Sequence, residues 1–368
     1  MSLPAFLDTF ATVPDPRVDR TKLHGLLDIL VIALCAVLCG AEGWEDIEAF
    51  GRAKESWLLD RLGLALPNGI PSHDTFRRVF ARLDPEAFRS AFLAWTRHLR
   101  LKSRGEVIAL DGKTLRHSFD TATGQAPLHM VTAWATENRL VLAQLPVDQK
   151  SNEIPAFPAL LSLLDIRDCV VTIDAMGCQK EIARTIIDQG GDYVLALKAN
   201  QPTLEEGVRL FFEDGRENGF GSYRVRRSRG VEKDHGRIET REYWLTEAID
   251  WLDGKEAWAG IRSIGRVERT RCVGGETSVE VSYYISSLGG SVGRFAGAVR
   301  EHWGIENREH YILDMTFNED ASRIRRDRAP ENFAVLRHIA LNLLQHERTW
   351  KRGLKGRMKR AGWDEGYQ

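Results

Sequence analysis

The sequence predicts an α/β protein: a mixed five-stranded sheet with helices, interrupted by a β-rich insertion and preceded by a helical N-terminal domain. Three observations predict it. Apolar residues recur at helical spacing through the first hundred positions, and from Glu106 the pattern changes to short apolar runs bounded by turn residues. Three such runs come first, and then helix, strand, helix and strand alternate.

In the helical region Trp44, Ile47 and Phe50 share one face, as do Phe88, Phe92, Trp95 and Leu99. Asp84-Pro85-Glu86 starts the second of these helices, with Asp84 as N-cap and Pro85 in the first turn. The most apolar window, Leu26 to Cys39, contains Asp28 and is too short to span a bilayer, so it is expected as a buried helix. After a Pro-Asn-Gly-Ile-Pro turn, Ser72 or Asp74 can cap a short helix that buries Phe76, Val79 and Phe80. Arg77 and Arg78 then project outward. That helix is either the second member of a helix-turn-helix or a solvated basic face.

The expected strands are Val107 to Asp111, His129 to Thr136 and Leu140 to Val147, with Asn138-Arg139 as the turn between the last two. A helix over Ile154 to Leu164, a strand over Cys169 to Asp174, a helix over Gln179 to Gln189 and a strand over Asp192 to Lys198 complete the series. This is the order of the RNase H-like fold, in which the first and fourth strands lie side by side. Asp111 and Asp174, each at a strand exit, would therefore be neighbours.

Residues from about 205 to 290 carry alternating strands, Glu239 to Leu245, Arg262 to Arg269 and Thr277 to Ser286, and a basic turn over Arg224 to Arg241 that contains Arg226, Arg227, Arg229, Lys233, His235 and Arg237. Such a loop can track phosphates. Arg294 to Phe317 is expected as one long helix. Its His302, Glu306, His310 and Asp314 are four apart and share a stripe. The tail from Arg323 to Arg360, including Arg325, Arg326 and Arg348, is strongly basic, and Phe333 to Leu344 within it has an apolar helical face.

Composition excludes several classes. The net charge of −1, from 51 basic and 52 acidic residues, gives no overall argument for a polyanionic partner, so local clusters must carry it. Five irregularly spaced cysteines make no disulfide framework and suit a reducing cytosol. The start, Met1-Ser-Leu-Pro-Ala-Phe, lacks a basic n-region and a cleavage-like site, so no secretory signal is expected.

Two strand-end aspartates and a helical glutamate, Asp111, Asp174 and Glu306, form the candidate catalytic and metal-binding set. Carboxylates converging from two strands and a helix make a hard oxygen site suited to Mg2+ or Mn2+ rather than zinc. Two such ions, about 4 Å apart, can activate a hydroxyl nucleophile and stabilise the leaving oxygen in phosphodiester displacement. Lys113 and Lys198, just past strand ends, could orient a phosphate. A zinc site on His302 and His310 is disfavoured, because the two are eight positions apart on a helix.

Several stretches together resemble bacterial insertion-sequence transposases of the DDE type, in the group related to the H-repeat-associated proteins. They are Gly69-Ile-Pro-Ser-His-Asp-Thr-Phe-Arg-Arg-Val-Phe80, Ala109-Leu-Asp-Gly-Lys113, Lys150-Ser-Asn-Glu153, Asp174-Ala-Met-Gly-Cys-Gln179, Tyr193 to Gln201, His235-Gly-Arg-Ile-Glu239, Arg300-Glu-His-Trp-Gly-Ile-Glu-Asn307 and Leu313 to Asp320. The resemblance spans nearly the whole chain. It implies an RNase H-like core with a β-strand insertion, catalytic acids at Asp111, Asp174 and Glu306, and two Mg2+ or Mn2+ ions. It further implies cleavage at transposon ends and joining of the freed 3′ hydroxyl to target DNA. The signature Tyr-x-x-Arg-x-x-x-Glu-x6-Lys of related transposases is not kept: Val299, His302 and Leu313 stand where Tyr, Arg and Lys would be, which leaves Glu301 and Glu309 as alternatives to Glu306.

The expected organisation is a helical DNA-associated domain over 1–103, core over 104–204, β-rich insertion over 205–290, last core helices over 291–346 and a basic tail over 347–368. The expected partner is double-stranded DNA, both terminal inverted repeats and target, bound by a homodimer in the bacterial cytoplasm at the nucleoid. Arg77, Arg78, Lys113, Lys198, Arg226, Arg227, Arg237, Arg300, Arg325 and Arg326 are the candidate DNA contacts.

Overall fold

A computed structural model describes residues 3–121, 124–148, 152–234, 236–347 and 349–367. Lys150, Ser151, His235 and Arg348 lie outside the described residues. The helical region comprises α1 (Leu3–Phe10), α2 (Leu26–Leu38), α3 (Trp44–Ala53), α4 (Glu55–Asp60), α5 (His73–Arg82) and α6 (Pro85–Leu99). Asp84 caps α6 as its sequence requires, accepting from the Glu86 N–H at 3.3 Å. There follow β1 (Val107–Leu115), β2 (Leu128–Ala135), β3 (Leu140–Pro146), α7 (Ala156–Ser162), β4 (Val170–Ile173), α8 (Lys180–Asp188), β5 (Asp192–Leu197) and α9 (Pro202–Asn218). The rest is β6 (Val225–Asp234), β7 (Arg237–Thr246), β8 (Ser263–Val273), β9 (Glu276–Ser286), α10 (Val292–Ile305), α11 (Tyr311–Met315), α12 (Ala329–His346) and α13 (Leu354–Trp363).

All the strands join one mixed sheet in the order β3-β2-β1-β4-β5-β9-β8-β7-β6. The pairs β1–β4 and β4–β5 are parallel and the others antiparallel. Helices cover both faces of the β1–β5 half. On one face Phe157 of α7, Ile182 of α8 and Val208 of α9 pack on Ile108, Leu110 and Val171. On the other, Phe295 and Val299 of α10 meet Val107, Val170 and Val194, while Ala109, Trp134 and Val141 meet α12 and the N-terminal helices. Strands buried from both sides have near-continuous apolar sequences, and this is why their periodicity was plain.

Four expectations change. The segment 205–290 opens with a 17-residue helix, α9, which begins at Pro202 and buries Leu204, Val208 and Phe212 four apart. Its remainder does not form a separate body, because β9 pairs with β5 and continues the sheet. The basic turn over Arg224 to Arg241 is instead the β6–β7 hairpin, in which Arg229 is opposed to Glu242 while Arg227 and Arg241 reach Glu242 and Glu232 diagonally across the strands. The basic tail expected over 347–368 carries a helix, α13, whereas α12 contains the apolar helix expected over Phe333 to Leu344. Helix α12 is almost wholly buried, and Asn332 ties it to the Phe80 and Leu83 carbonyls while Asn342 bonds both the N–H and C=O of Val141. Helix α13 sets Met358 beside Gly40 of the α2–α3 turn.

No helix among the described residues is long and apolar enough to cross a membrane.

Candidate active site

Asp111 does not end its strand. Pairing with β2 continues to Leu115, so Gly112 and Lys113 are strand residues and not a turn. The parallel pairing with β4 stops at Leu110–Ile173, one residue before Asp111, and Asp174 follows Ile173 directly. Register alone therefore sets the two aspartates at the point where β1 outruns β4. Asp174 caps a short turn, accepting from the N–H groups of Met176 and Gly177 at 3.1 and 3.3 Å.

The expected long helix over Arg294 to Phe317 is broken by a π turn over Glu306–His310, between α10 and α11. Such turns insert a residue and are frequent at functional sites. His302 bonds the Thr172 hydroxyl at 3.1 Å, His310 lies 3.6 Å from Asp111, and Asp314 bonds Lys113 at 2.5 Å. The polar row thus faces β1 and β4. Glu306 is exposed at its start, close enough to Asp111 for their charges to interact. Of the two alternatives, Glu309 is buried between His310 at 2.9 Å and His338 at 3.0 Å, and Glu301 faces Arg308 at 3.5 Å.

Burial pushes the Asp111 carboxyl up to about 7. His310 and the Gly112 N–H work against that rise, and the charges of Asp174 and Glu306 add to it. Asp174 is raised as well, chiefly by burial, with the charge of Glu153 adding and Lys198 opposing. His310 is held charged, up to about 9, because the attraction of Glu309 and Asp111 outweighs its burial. The site is a half-buried group of acids in which burial works against ionisation and one imidazolium favours it. His302, by contrast, is pushed down to about 4 by burial and stands apart from any second histidine ligand.

Among the described residues, no three His, Cys, Asp or Glu side chains are closed around one point as metal ligands. The donor chemistry nonetheless fits a hard divalent cation. The acids supply only oxygens, and a positive charge placed among them would offset the burial, and with it the repulsion, that raises Asp111.

The expected DNA contacts fall in different settings. Lys198 is exposed beside Asp174. Lys113 is largely buried, its ammonium held by Asp314 at 2.5 Å and Glu319 at 2.8 Å, with Arg337 on the far side of Glu319. That ammonium is engaged inside the protein rather than displayed to a phosphate. Arg77 and Arg78 pair with Asp74 on α5, whose Phe76, Val79 and Phe80 are buried. Arg226 bonds Glu247 at 2.8 Å, Arg227 pairs with Glu242, Arg237 with Glu239, and Arg300 with Glu232. Arg325 donates to the His117 carbonyl and Arg326 pairs with Asp327, both beside an open groove of about 800 Å³ that Arg77 also lines. Exposed pairs of this kind are weak and can exchange partners.

Residues 102–343 match the family model described as "Transposase DDE domain", and residues 7–96 match that described as "DDE_Tnp_1-associated". The chain belongs to the DDE transposase family. It is 40% identical to the H repeat-associated "putative transposase" YhhI of Escherichia coli K12, over 100% of this chain and 97% of that protein. It is 51% identical to an "uncharacterized protein in dhlA 3′region" of Xanthobacter autotrophicus, over 76% of this chain and 92% of that protein. A solved structure of piggyBac transposase in a synaptic complex with hairpin DNA aligns at TM-score 0.45 and 10% identity, covering 99% of this chain and 79% of that one, which is too distant to bear weight.

Several partners of this transposase's site carry no signal in sequence. His338 and Arg337 reach it from positions distant in the chain, and nothing in their local context marks them, whereas Glu319 had its place in the Leu313 to Asp320 stretch. Glu153 did have a signal, its place in the Lys150-Ser-Asn-Glu153 stretch, but not a spacing that linked it to Asp111.

Proposed function

We propose that this transposase cleaves phosphodiester bonds at transposon ends and transfers the 3′ hydroxyl ends to target DNA, with Asp111, Asp174 and Glu306 as its catalytic carboxylates. The observation that carries this reading is the strand register that sets Asp111 and Asp174 side by side where β1 outruns β4, with the π turn that begins at Glu306 bringing His310 to 3.6 Å from Asp111. We read β1–β5 with their helices as an RNase H-like core, which the order β3-β2-β1-β4-β5 supports. The three acids would hold Mg2+ or Mn2+, which when bound supplies activation of a hydroxyl nucleophile and stabilisation of the leaving oxygen.

The protein's own groups do the positioning. Met176 and Gly177 N–H groups fix one Asp174 oxygen, leaving the other to face the cleft. His310, clamped by Glu309 and through it by His338, holds the side of Asp111 away from solvent. Lys198 stands where a scissile phosphate would meet a cation beside Asp174. Double-stranded DNA is the proposed partner, with two copies of the chain bringing two ends together at the nucleoid.

Asp111→Asn, Asp174→Asn and Glu306→Gln are each expected to abolish divalent-metal-dependent cleavage of a plasmid carrying the gene with its flanking ends, with DNA retention in a gel shift unchanged. Cleavage surviving in one variant removes that acid from the set. DNA retention without cleavage by the unaltered protein would leave a DNA-binding protein that no longer cuts.

A further inference from the structure

Glu153 lies at the start of α7, on the face of the sheet opposite the Asp111 side chain. The two faces meet where β1 outruns β4. At Gly112, the residue after Asp111, a Cβ would overlap the Glu153 carboxylate, so that carboxylate fills the space left by the missing side chain. Its charge also reaches Asp174 on the adjoining strand end. Glu153 therefore stands between the two aspartates in sequence, against Gly112 in space and within reach of the Asp174 charge.

It is held there. Glu153 Oε1 lies 2.5 Å from His129 Nε2, and His129 Nδ1 lies 2.7 Å from the Thr114 hydroxyl. Thr114 and His129 are directly opposed across β1 and β2, so the ring is anchored to the strand that carries Asp111. A neutral imidazole accepts from Thr114 and donates to Glu153, leaving the second carboxylate oxygen for another partner. A carboxylate oriented by a histidine on a rigid strand is how outer groups commonly fix metal ligands. A merely structural glutamate has no need of a glycine opposite it, and this one occupies the position where any other residue would displace it.

We infer that Glu153 is a fourth carboxylate of the proposed cation site, seated by Gly112 and positioned by His129 and Thr114. The inference rests on the reading of Asp111, Asp174 and Glu306 as cation ligands. It extends the set on the side away from Glu306, so that oxygens approach from both faces of the sheet edge.

The test is Mn2+ binding to the full chain without DNA, followed by the electron paramagnetic resonance signal of free Mn2+. Glu153→Gln is expected to weaken Mn2+ binding about tenfold or more, the range seen when groups supporting a metal site are removed. Gly112→Ala keeps every carboxylate but pushes Glu153 aside, and should weaken Mn2+ similarly while the metal-free melting temperature stays near that of the unaltered protein. His129→Ala should weaken it less, since the carboxylate itself remains. Two variants acting by different routes keep the test open should one fail to fold. Unchanged Mn2+ affinity in both Glu153→Gln and Gly112→Ala, with loss in Asp174→Asn, overturns the inference and leaves the proposed triad standing. Unchanged affinity in Asp111→Asn and Asp174→Asn as well, or no Mn2+ binding by the unaltered chain, overturns both.

Discussion

The two halves of the sheet are built on opposite principles. In β1 to β5 helices cover both faces, and charged groups there are drawn into buried pairs, as with Lys113 between Asp314 and Glu319. In the outer parts of β6 to β9 the faces are open, and Arg227–Glu242, Arg241–Glu232 and Arg269–Glu280 pair across strands in water. The first half holds its carboxylates in place through buried partners, as the Met176 and Gly177 N–H groups hold Asp174 and Lys113 holds Asp314 and Glu319. The second offers charges that are already solvated and can exchange an internal carboxylate for a phosphate at little cost.

The sharpest way to break that comparison is Lys113→Met. It leaves half-buried Asp314 without its cation and buried Glu319 with Arg337 alone, and is expected to destabilise the metal-free protein by about 3 kcal/mol in urea denaturation. An unchanged midpoint would return Lys113 to the set of displayed lysines.

A smaller effect of opposite sign is expected at Asp111. Its carboxyl titrates near 7 when folded, against an ordinary value of 3.8, so the folded state binds that proton more tightly than the unfolded one. Ionised Asp111 therefore lowers stability fully above pH 7 and not at all below about pH 4. Asp111→Asn should stabilise the metal-free protein at pH 8 by roughly 1–3 kcal/mol, with the gain shrinking as pH falls through 7 toward 4. A gain that persists at pH 4 would trace to something other than this charge.

The smallest effect on folding is expected in the distal half. Arg227→Ala should change stability by less than about 1 kcal/mol. If the hairpin tracks DNA, the same change should lower the slope of log affinity against log salt by about one. An unaltered slope would remove β6 from the interface.

Much of this was legible in sequence wherever local chemistry decides structure. The Asp84-Pro85 start of α6, the apolar run of α2 and the strands around Asp111 and Asp174 followed from capping and periodicity. Helix α9 was missed despite Leu204, Val208 and Phe212 at helical spacing, because charged residues dilute that face. The arginines of β6 resembled a loop because a strand with open faces lacks an apolar signature.

By itself the sequence determined the family and the order of elements from β1 to β5, and it nominated the acids, since these depend on residue type and short-range spacing. Tertiary structure alone decided that β1 outruns β4 from Asp111 onward, that a π turn interrupts the helix where His310 comes to lie 3.6 Å from Asp111, and that Glu153 fills the space at Gly112. It also decided how α12 is anchored, with Asn342 on Val141 and Arg337 behind Glu319. Each of these is a contact between residues far apart in the chain, and strand register and burial, which set such contacts, have no local code.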